Sequence, residues 1–265
     1  MDIATLLGLI IAFGGILAGY MEEGGAIAGL LSPSSALIVL GATIGAVFIS
    51  VPMKLIKETP KLLKLVFFEK RIDYTELIEK ITGLAGVARK EGILALENST
   101  KDMDNKFLVN GINMVIDGMD KESIQSIMEV EINAISERHT RRAKIFEIAG
   151  GYCPTMGILG TVMSMICVLK DLSDPGSLGP KIAMAFTATL YGVGFANVFF
   201  LPVAEKLKAK SQDEMIALEM TMEGILSIQS GESPKIIKEK LLVFTNEINQ
   251  SVTEDNNNGQ EEKTG

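Results

Sequence analysis

The sequence predicts an all-α, polytopic membrane protein with four transmembrane helices and a helical cytoplasmic domain. Charged residues make up 22% of the 265 residues, yet four long stretches contain none: residues 3–20, 35–52, 148–169 and 182–203. An apolar run of about 18 or more residues is long enough to cross a bilayer as a helix. The mean hydropathy of +0.29 agrees with this pattern. A soluble enzyme, a secreted disulfide scaffold and a disordered protein are therefore excluded.

The remaining composition excludes other classes of site. The net charge is −8 and no basic stripe is present, which argues against a nucleic-acid partner. One His and no C-x-x-C pattern argue against a zinc or iron site built by the protein. Cys153 and Cys167 lie 14 residues apart on one predicted span, too far along a helix to pair with each other. We expect no metal, no cofactor and no catalytic residue.

The distribution of lysine and arginine predicts the orientation of the spans. Residues 22–33 contain neither, whereas residues 51–142 and the tail after residue 203 are rich in them. Because Lys and Arg near span ends favour the cytoplasmic side, both termini and the long central loop are expected inside the cell. Lys170 and Lys181 flank the second outer connection, an exception that snorkelling accommodates. The chain is thus predicted to be a multi-pass membrane protein with both termini in the cytoplasm.

The segments outside the four charge-free stretches are also predicted to be helical. Apolar residues recur at helical spacing in residues 61–68, 74–87, 92–96, 106–116 and 122–135. Asp120 is a predicted N-cap for a helix that begins at Lys121, and Pro234 suits the first position of a later helix.

Five domains follow from these patterns. They are the first two spans (1–52), a cytoplasmic helical domain (53–147), the third and fourth spans (148–203), C-terminal cytoplasmic helices (204–250) and a polar tail expected to be disordered (251–265).

The third and fourth spans differ from the first two in carrying proline and hydroxyl residues. Pro154 and Thr161 are seven residues apart and so lie on one stripe of a helix, and Pro154 frees a backbone carbonyl one turn earlier. The fourth span has a stripe of small residues that permits close approach of another helix: Ala185, Thr189, Gly192 and Ala196. Taken singly, most such residues serve packing.

None of the four spans contains Asp, Glu, Lys, Arg or His. Proton pumps and transporters usually place an ionisable side chain within the membrane. If ions move along this chain, the carboxylate must come from a second polypeptide, with threonine hydroxyls and freed carbonyls assisting; otherwise the chain is a structural scaffold. The absence of inverted repeats also argues against a secondary transporter that acts alone.

Five stretches carry a recognisable pattern. Three are MDIATLLGLIIAFGGILAGYMEEGG (1–25), CPTMGILGTVMSMI (153–166) and AFTATLYGVGFANVFFLPVAEKL (185–207). The others are SPSSALIVLGATIGAVFISVPMKLIK (32–57) and ARKEGILALE (88–97). Together they resemble the MotA/PomA family of flagellar motor stator subunits, in order and over residues 1–245.

The resemblance implies a subunit that is not an enzyme. Members of that family surround a MotB-type partner as a homo-oligomeric ring, a pentamer. The partner's transmembrane Asp carries H⁺ or Na⁺, and the ion flow produces torque on the rotor protein FliG. The resemblance thus supplies the missing carboxylate independently. ExbB/TolQ-type motors, which energise envelope processes, are the alternative, but they resemble three-span chains with an outside N-terminus.

The resemblance also implies roles for residues within the spans. Pro154 matches the proline of the third span and Pro202 the proline that ends the fourth, both expected to couple ion flow to torque. Thr161 and Thr189 match threonines associated with sodium coupling and, with Pro154, would line the partner-facing ion path. This favours Na⁺, whereas Ala188, where PomA-like chains often carry Thr, favours H⁺.

A second group of residues is expected to face the rotor. Arg89, Lys90 and Glu97 match cytoplasmic charges that the family uses against FliG; without the resemblance they would read as a solvated helix face. On one continuous helix Lys90 and Glu97 would project within about 20° of each other. His139 and Glu147, near the predicted inner membrane face, are expected to have interface roles.

Overall fold

The computed structural model describes residues 3–68, 72–101, 103–170 and 175–245. All regular structure in these ranges is helical and they contain no strand, so the all-α prediction is confirmed. Within the same ranges four helices are long and apolar enough to cross a membrane: Ile3–Glu22, Ile27–Ser50, Lys121–Lys170 and Leu178–Gln229. The tail predicted to be disordered, 251–265, lies outside the described residues.

The first two spans are separate helices. Helix α1 (Ile3–Glu22) buries none of its side chains within the chain, and a short turn, α2 (Ile27–Leu30), follows it. Helix α3 (Pro33–Ser50) begins two residues earlier than the predicted second span. The reason is its cap, because the Ser32 hydroxyl accepts a hydrogen bond from the Ser35 N–H at 3.3 Å and proline follows at the first position.

Short helices connect the second span to the third. They are α4 (Met53–Ile56), α5 (Thr59–Phe67), α6 (Tyr74–Glu91), a 3₁₀ turn (Ile93–Ala95), α7 (Leu96–Thr100) and α8 (Lys106–Ile116). The predicted helical segment 92–96 is wrong at its first residue. Gly92 has φ of +90°, a left-handed conformation that glycine adopts without steric cost, and α6 ends before it.

The third and fourth spans belong to longer helices. Helix α9 (Lys121–Lys170) runs 50 residues without interruption, and its predicted N-cap is confirmed by the Asp120 carboxylate, which accepts from the Ser123 N–H at 2.8 Å. Hydrogen bonds from the N–H and the hydroxyl of Ser123 hold the pKa of Asp120 below its ordinary value. The fourth span comprises α10 (Pro175–Phe195), a π-helical turn (Ala196–Phe200) and the start of α11 (Leu201–Gln229). Helix α12 occupies residues 234–245, with Pro234 first, as predicted.

The chain forms two compact units. Unit 1 comprises Met1–Lys70 and Arg138–Lys210, and unit 2 comprises Arg71–Glu137 and Ser211–Gly265. Unit 1 contains the apolar spans and two small buried clusters, one around Val39 and Cys153, the other around Val66 and Phe146. Unit 2 has a larger core, contributed by α6, α8, α12 and parts of α9 and α11; it includes Ile81, Leu108, Ile112, Ile124, Met220, Ile225 and Leu241.

Candidate functional site

The third and fourth spans are held together by glycine. A Cβ atom on Gly192 would lie 2.8 Å from the carbonyl oxygen of Cys153 and 2.8 Å from the Cα of Gly157. A Cβ on Gly157 would lie 3.0 Å from the carbonyl oxygen of Ala188. The two backbones therefore approach so closely that only glycine fits at both positions. The small-residue stripe was predicted to permit close approach of another helix, and three of its members, Ala185, Gly192 and Ala196, are buried.

The close contact between the two backbones also brings together Thr161 and Thr189, the two threonines expected to line the ion path. The hydroxyl oxygens of Thr161 and Thr189 are 2.5 Å apart, and Thr161 can also donate to the carbonyl of Ala185 at 3.0 Å or of Gly157 at 3.1 Å. A hydroxyl has one proton to give, so when Thr161 donates to a carbonyl, Thr189 donates to Thr161. Four oxygens thus meet in one half-buried place between the spans.

This oxygen cluster fits the chemistry of a hard cation, because Na⁺ and similar ions take several oxygen ligands. The plainer interpretation, a bond from Thr161 to a carbonyl of its own helix, is also realised in the contact with Gly157. Thr161 donates its single proton to one carbonyl at a time, and its contacts with Thr189 and Ala185 on the next span go beyond packing within one helix. No group of three or more His, Cys, Asp or Glu side chains that could hold a metal ion occurs in the described part of the chain.

Pro154 lies near the Gly157–Gly192 contact and does not end its helix. Proline has no N–H, so the carbonyl of Gly150 lacks its usual partner in α9. Gly150 is buried beneath Leu201, whose Cδ2 would lie 2.6 Å from a Cβ at that position. The half-buried Pro154 therefore weakens α9 at a point where it packs tightly on the fourth span.

Pro202 follows a π-helical turn that the sequence pattern does not predict. Five residues, Ala196–Phe200, adopt this conformation, and the N–H of Leu201 donates to the carbonyl of Ala196, five residues back. Single π turns inside α-helices are rare overall, but those that occur are often found at functional sites. The available signal was Pro202 itself, since its missing N–H removes the α-helical donor to the carbonyl of Val198.

Tyr191 is a contact residue that the sequence analysis missed. Its hydroxyl donates to the carbonyl of Leu30 at 2.5 Å and accepts from the N–H of Ser32 at 3.2 Å. The Ser35 hydroxyl donates to the carbonyl of Met184 at 3.2 Å. These bonds fasten the start of α3 to α10. A lone tyrosine in an apolar span gives no sign of its partner, which lies 161 residues away in sequence.

Glu147 forms a charged cluster where the third and fourth spans end. Its carboxylate is 2.7 Å from the ammonium of Lys144 and 2.6 Å from that of Lys208, which also lies 2.8 Å from Glu205. Hydrogen bonds from Lys144 and Lys208 hold the pKa of Glu147 below its ordinary value, and the Glu147 bond raises the pKa of Lys208. The interface role expected for His139 and Glu147 stays a prediction.

The three residues expected to face a rotor are all exposed in unit 2. The prediction that Lys90 and Glu97 share one helix face is wrong, because Gly92 ends α6 and Glu97 lies on α7. The intervening 3₁₀ turn redirects the chain. Arg89 and Lys90 therefore occupy the last turn of one helix and Glu97 the first turn of another.

Comparison with known proteins gives a consistent set of relatives. Residues 99–220 match the MotA/TolQ/ExbB proton channel family, and residues 6–92 match the Motility protein A N-terminal family. The chain is 41% identical over 245 residues to Motility protein A of Bacillus subtilis, covering 92% of this chain and 91% of that protein. It is 35% identical over 247 residues to chemotaxis protein PomA of Vibrio alginolyticus, covering 93% and 96%.

Two solved structures share the fold. One is the structure of C. jejuni MotAB, with a TM-score of 0.88, 34% identity and coverage of 92% of this chain and 96% of that chain. The other is the flagellar MotAB stator complex from Bacillus subtilis, with a TM-score of 0.85, 41% identity and coverage of 91% and 95%. Fold and sequence therefore agree over almost the whole chain.

Proposed function

The chain belongs to the MotA/TolQ/ExbB proton channel family, and on that premise we propose that it is a flagellar motor stator subunit forming an ion channel with a MotB-type partner. It is not an enzyme. The observation that carries the proposal is the contact between Thr161 and Thr189, which concentrates oxygen atoms between two spans that contain no Asp, Glu, Lys, Arg or His. Such a site needs a carboxylate from a second polypeptide, and the MotB-type transmembrane Asp provides it.

In this proposal Pro154, Thr161 and Thr189 line the partner-facing ion path. The transported ion is H⁺ or Na⁺, and the paired hydroxyls favour Na⁺. Pro154 and Pro202 couple the ionisation of the partner carboxylate to a change in helix shape. The weakened backbone at Pro154 and the π turn before Pro202 support this role, because both mark helices that lack a full set of α-helical bonds.

The rotor contact is proposed at Arg89, Lys90 and Glu97, with FliG as the partner. Their exposure supports this, as does the turn at Gly92, which puts charges of opposite sign on two different helices. Several copies of the chain form the ring that surrounds the partner dimer, and a ring of five follows from the family resemblance.

The proposed topology places both termini in the cytoplasm of the cell. Residues 53–147 and 204–250 then lie inside, residues 1–52 and 148–203 hold the spans, and 251–265 form a tail. The lysine-rich segments that continue from the span ends support this orientation. An ExbB/TolQ-type motor is less well supported, because the chain has four apolar helices among its described residues and matches the Motility protein A N-terminal family.

Deletion and complementation test the proposal. Cells without this chain should assemble flagella that do not rotate, and plasmid-borne chain should restore rotation only when the MotB-type neighbour is present. The chain should also co-purify with that neighbour from detergent. Ion transport by the purified chain alone would contradict the proposal and indicate a transporter.

A further inference from the structure

Helix α5 and the turns on either side of it carry a basic surface that ion flow and rotor contact do not use. Residues 53–68 contain four lysines, all exposed, and one acid, Glu58. The guanidinium of Arg142 engages Glu58, with Nε and Nη2 each 2.7 Å from the same carboxylate oxygen. Glu58 therefore does not neutralise the lysines, and no carboxylate of the described residues pairs with them. The four are Lys54, Lys57, Lys61 and Lys64.

Large apolar side chains are exposed beside these lysines. Leu65 is 45% exposed and Phe68 is 53% exposed. At about 100° per residue, Lys61, Lys64 and Leu65 fall within one outward face of α5. The ammonium of Lys64 lies 6.0 Å from the centre of the Phe68 ring, so the basic and apolar groups form one continuous surface.

The opposite face of α5 fixes its position against the span ends. Leu62 and Val66 are buried in the same cluster as Val47, near the end of the second span, and Val203, at the end of the fourth. The ammonium of Lys210 donates to the carbonyl of Leu65 at 2.6 Å. The exposed face of α5 is therefore held where the apolar spans stop, which is the level of the lipid headgroups.

We propose that this surface, made of Lys54, Lys57, Lys61, Lys64, Leu65 and Phe68, binds the anionic phospholipids of the adjacent leaflet. Helices that carry lysine beside Leu or Phe lie in the membrane interface, with the apolar groups reaching the acyl boundary. Basic groups next to a span are attracted to anionic headgroups, and this attraction decays within a Debye length. The position of α5 at the span ends selects the bilayer over a soluble partner.

Lipid titration of the full chain, purified in detergent and followed by native mass spectrometry, tests the proposal. The probes are phosphatidylglycerol and phosphatidylcholine with identical acyl chains. The site variant combines Lys57→Gln, Lys61→Gln and Lys64→Gln. The control combines Lys106→Gln, Lys235→Gln and Lys238→Gln, which removes the same charge from exposed lysines of unit 2.

The wild type and the control should bind phosphatidylglycerol about tenfold more tightly than phosphatidylcholine, whereas the site variant should bind both alike. Replacing the same three lysines by arginine should preserve the preference, which separates charge from misfolding. A wild type without preference, a site variant that keeps it, or displacement of the lipid by millimolar inorganic phosphate would overturn the proposal. Loss of the preference in the control would overturn it as well, because the effect would then follow net charge.

Discussion

The hydroxyl oxygens of Thr161 and Thr189 lie 2.5 Å apart across the third and fourth spans, although 28 residues separate them along the chain. Neither side chain could reach the other if the backbones were not in contact at Gly157 and Gly192. The small residues and the hydroxyls are thus parts of one arrangement, in which close packing creates the oxygen cluster. The proposed ion site and the packing contact between the two spans therefore depend on the same glycines.

Replacing Thr161 by Ala should weaken sodium coupling. The change removes one oxygen of the cluster and leaves Thr189 without its partner, so half-maximal swimming speed should require about tenfold more external sodium. Swimming speed measured against sodium, with and without a protonophore, checks this. Thr155→Ala is the control, because its hydroxyl donates to the carbonyl of Tyr152 within the same helix. Unchanged sodium dependence would exclude Thr161 from the sodium site, and swimming that never needed sodium would indicate a proton-driven motor.

Gly192→Ala should destabilise the chain and reduce assembly with the partner. The added methyl would meet the backbone of Cys153 and Gly157, which cannot move aside as a flexible side chain could, and overpacking of this kind costs about 1–3 kcal/mol. Thermal unfolding in detergent measures the loss. Gly194→Ala provides a control on the same helix, since nothing lies within 4 Å of a Cβ there. Equal unfolding temperatures for the two variants would contradict the close approach.

Pro154→Ala and Pro202→Ala should each reduce torque while assembly stays normal. Alanine restores the missing N–H, which favours a regular α-helix at Gly150 and across the π turn. A helix that must change shape would then be biased toward one state. Bead assays on tethered flagella measure torque, and co-purification with the partner measures assembly. Full torque in both variants would leave the prolines with packing roles alone.

Reversing the charges at the proposed rotor contact should abolish rotation. Exposed ion pairs contribute about 0–1 kcal/mol each, so neighbours buffer a single change. We expect Arg89→Glu combined with Glu97→Lys to stop rotation while the subunit still inserts and assembles. Complementary reversals on FliG should restore part of the motion. Normal swimming of the double variant would place the rotor contact elsewhere.

The Glu147 cluster predicts a pH dependence of stability. Because Lys144 and Lys208 hold the pKa of Glu147 below its ordinary value, its contribution to stability is present at neutral pH. That contribution is lost as pH falls through the lowered pKa, where the carboxylate is protonated in the folded state. Glu147→Gln should therefore lower the melting temperature at pH 7, and the difference from wild type should shrink in acid. A difference that is constant from neutral to acid pH would contradict the cluster.

The sequence by itself determined the features that depend on neighbours along the chain. Four charge-free stretches defined the spans, since removal of charge from the bilayer is a local requirement of each segment. The cap at Asp120 and the helix start at Pro234 were likewise predicted correctly, because capping involves residues three or four positions apart. The stripe of small residues correctly indicated which face of the fourth span packs.

Only the tertiary structure decided what lies across from each stripe. The partner of Thr161, the carbonyl that Tyr191 binds and the π turn before Pro202 all depend on contacts or backbone geometry that helical periodicity does not encode. Gly92 is a similar case: its sequence position allowed a continuous helix, whereas its φ of +90° separates Lys90 from Glu97. A periodic pattern specifies which face of a helix is buried, but the identity of the opposing atoms is settled when two helices pack at a particular register.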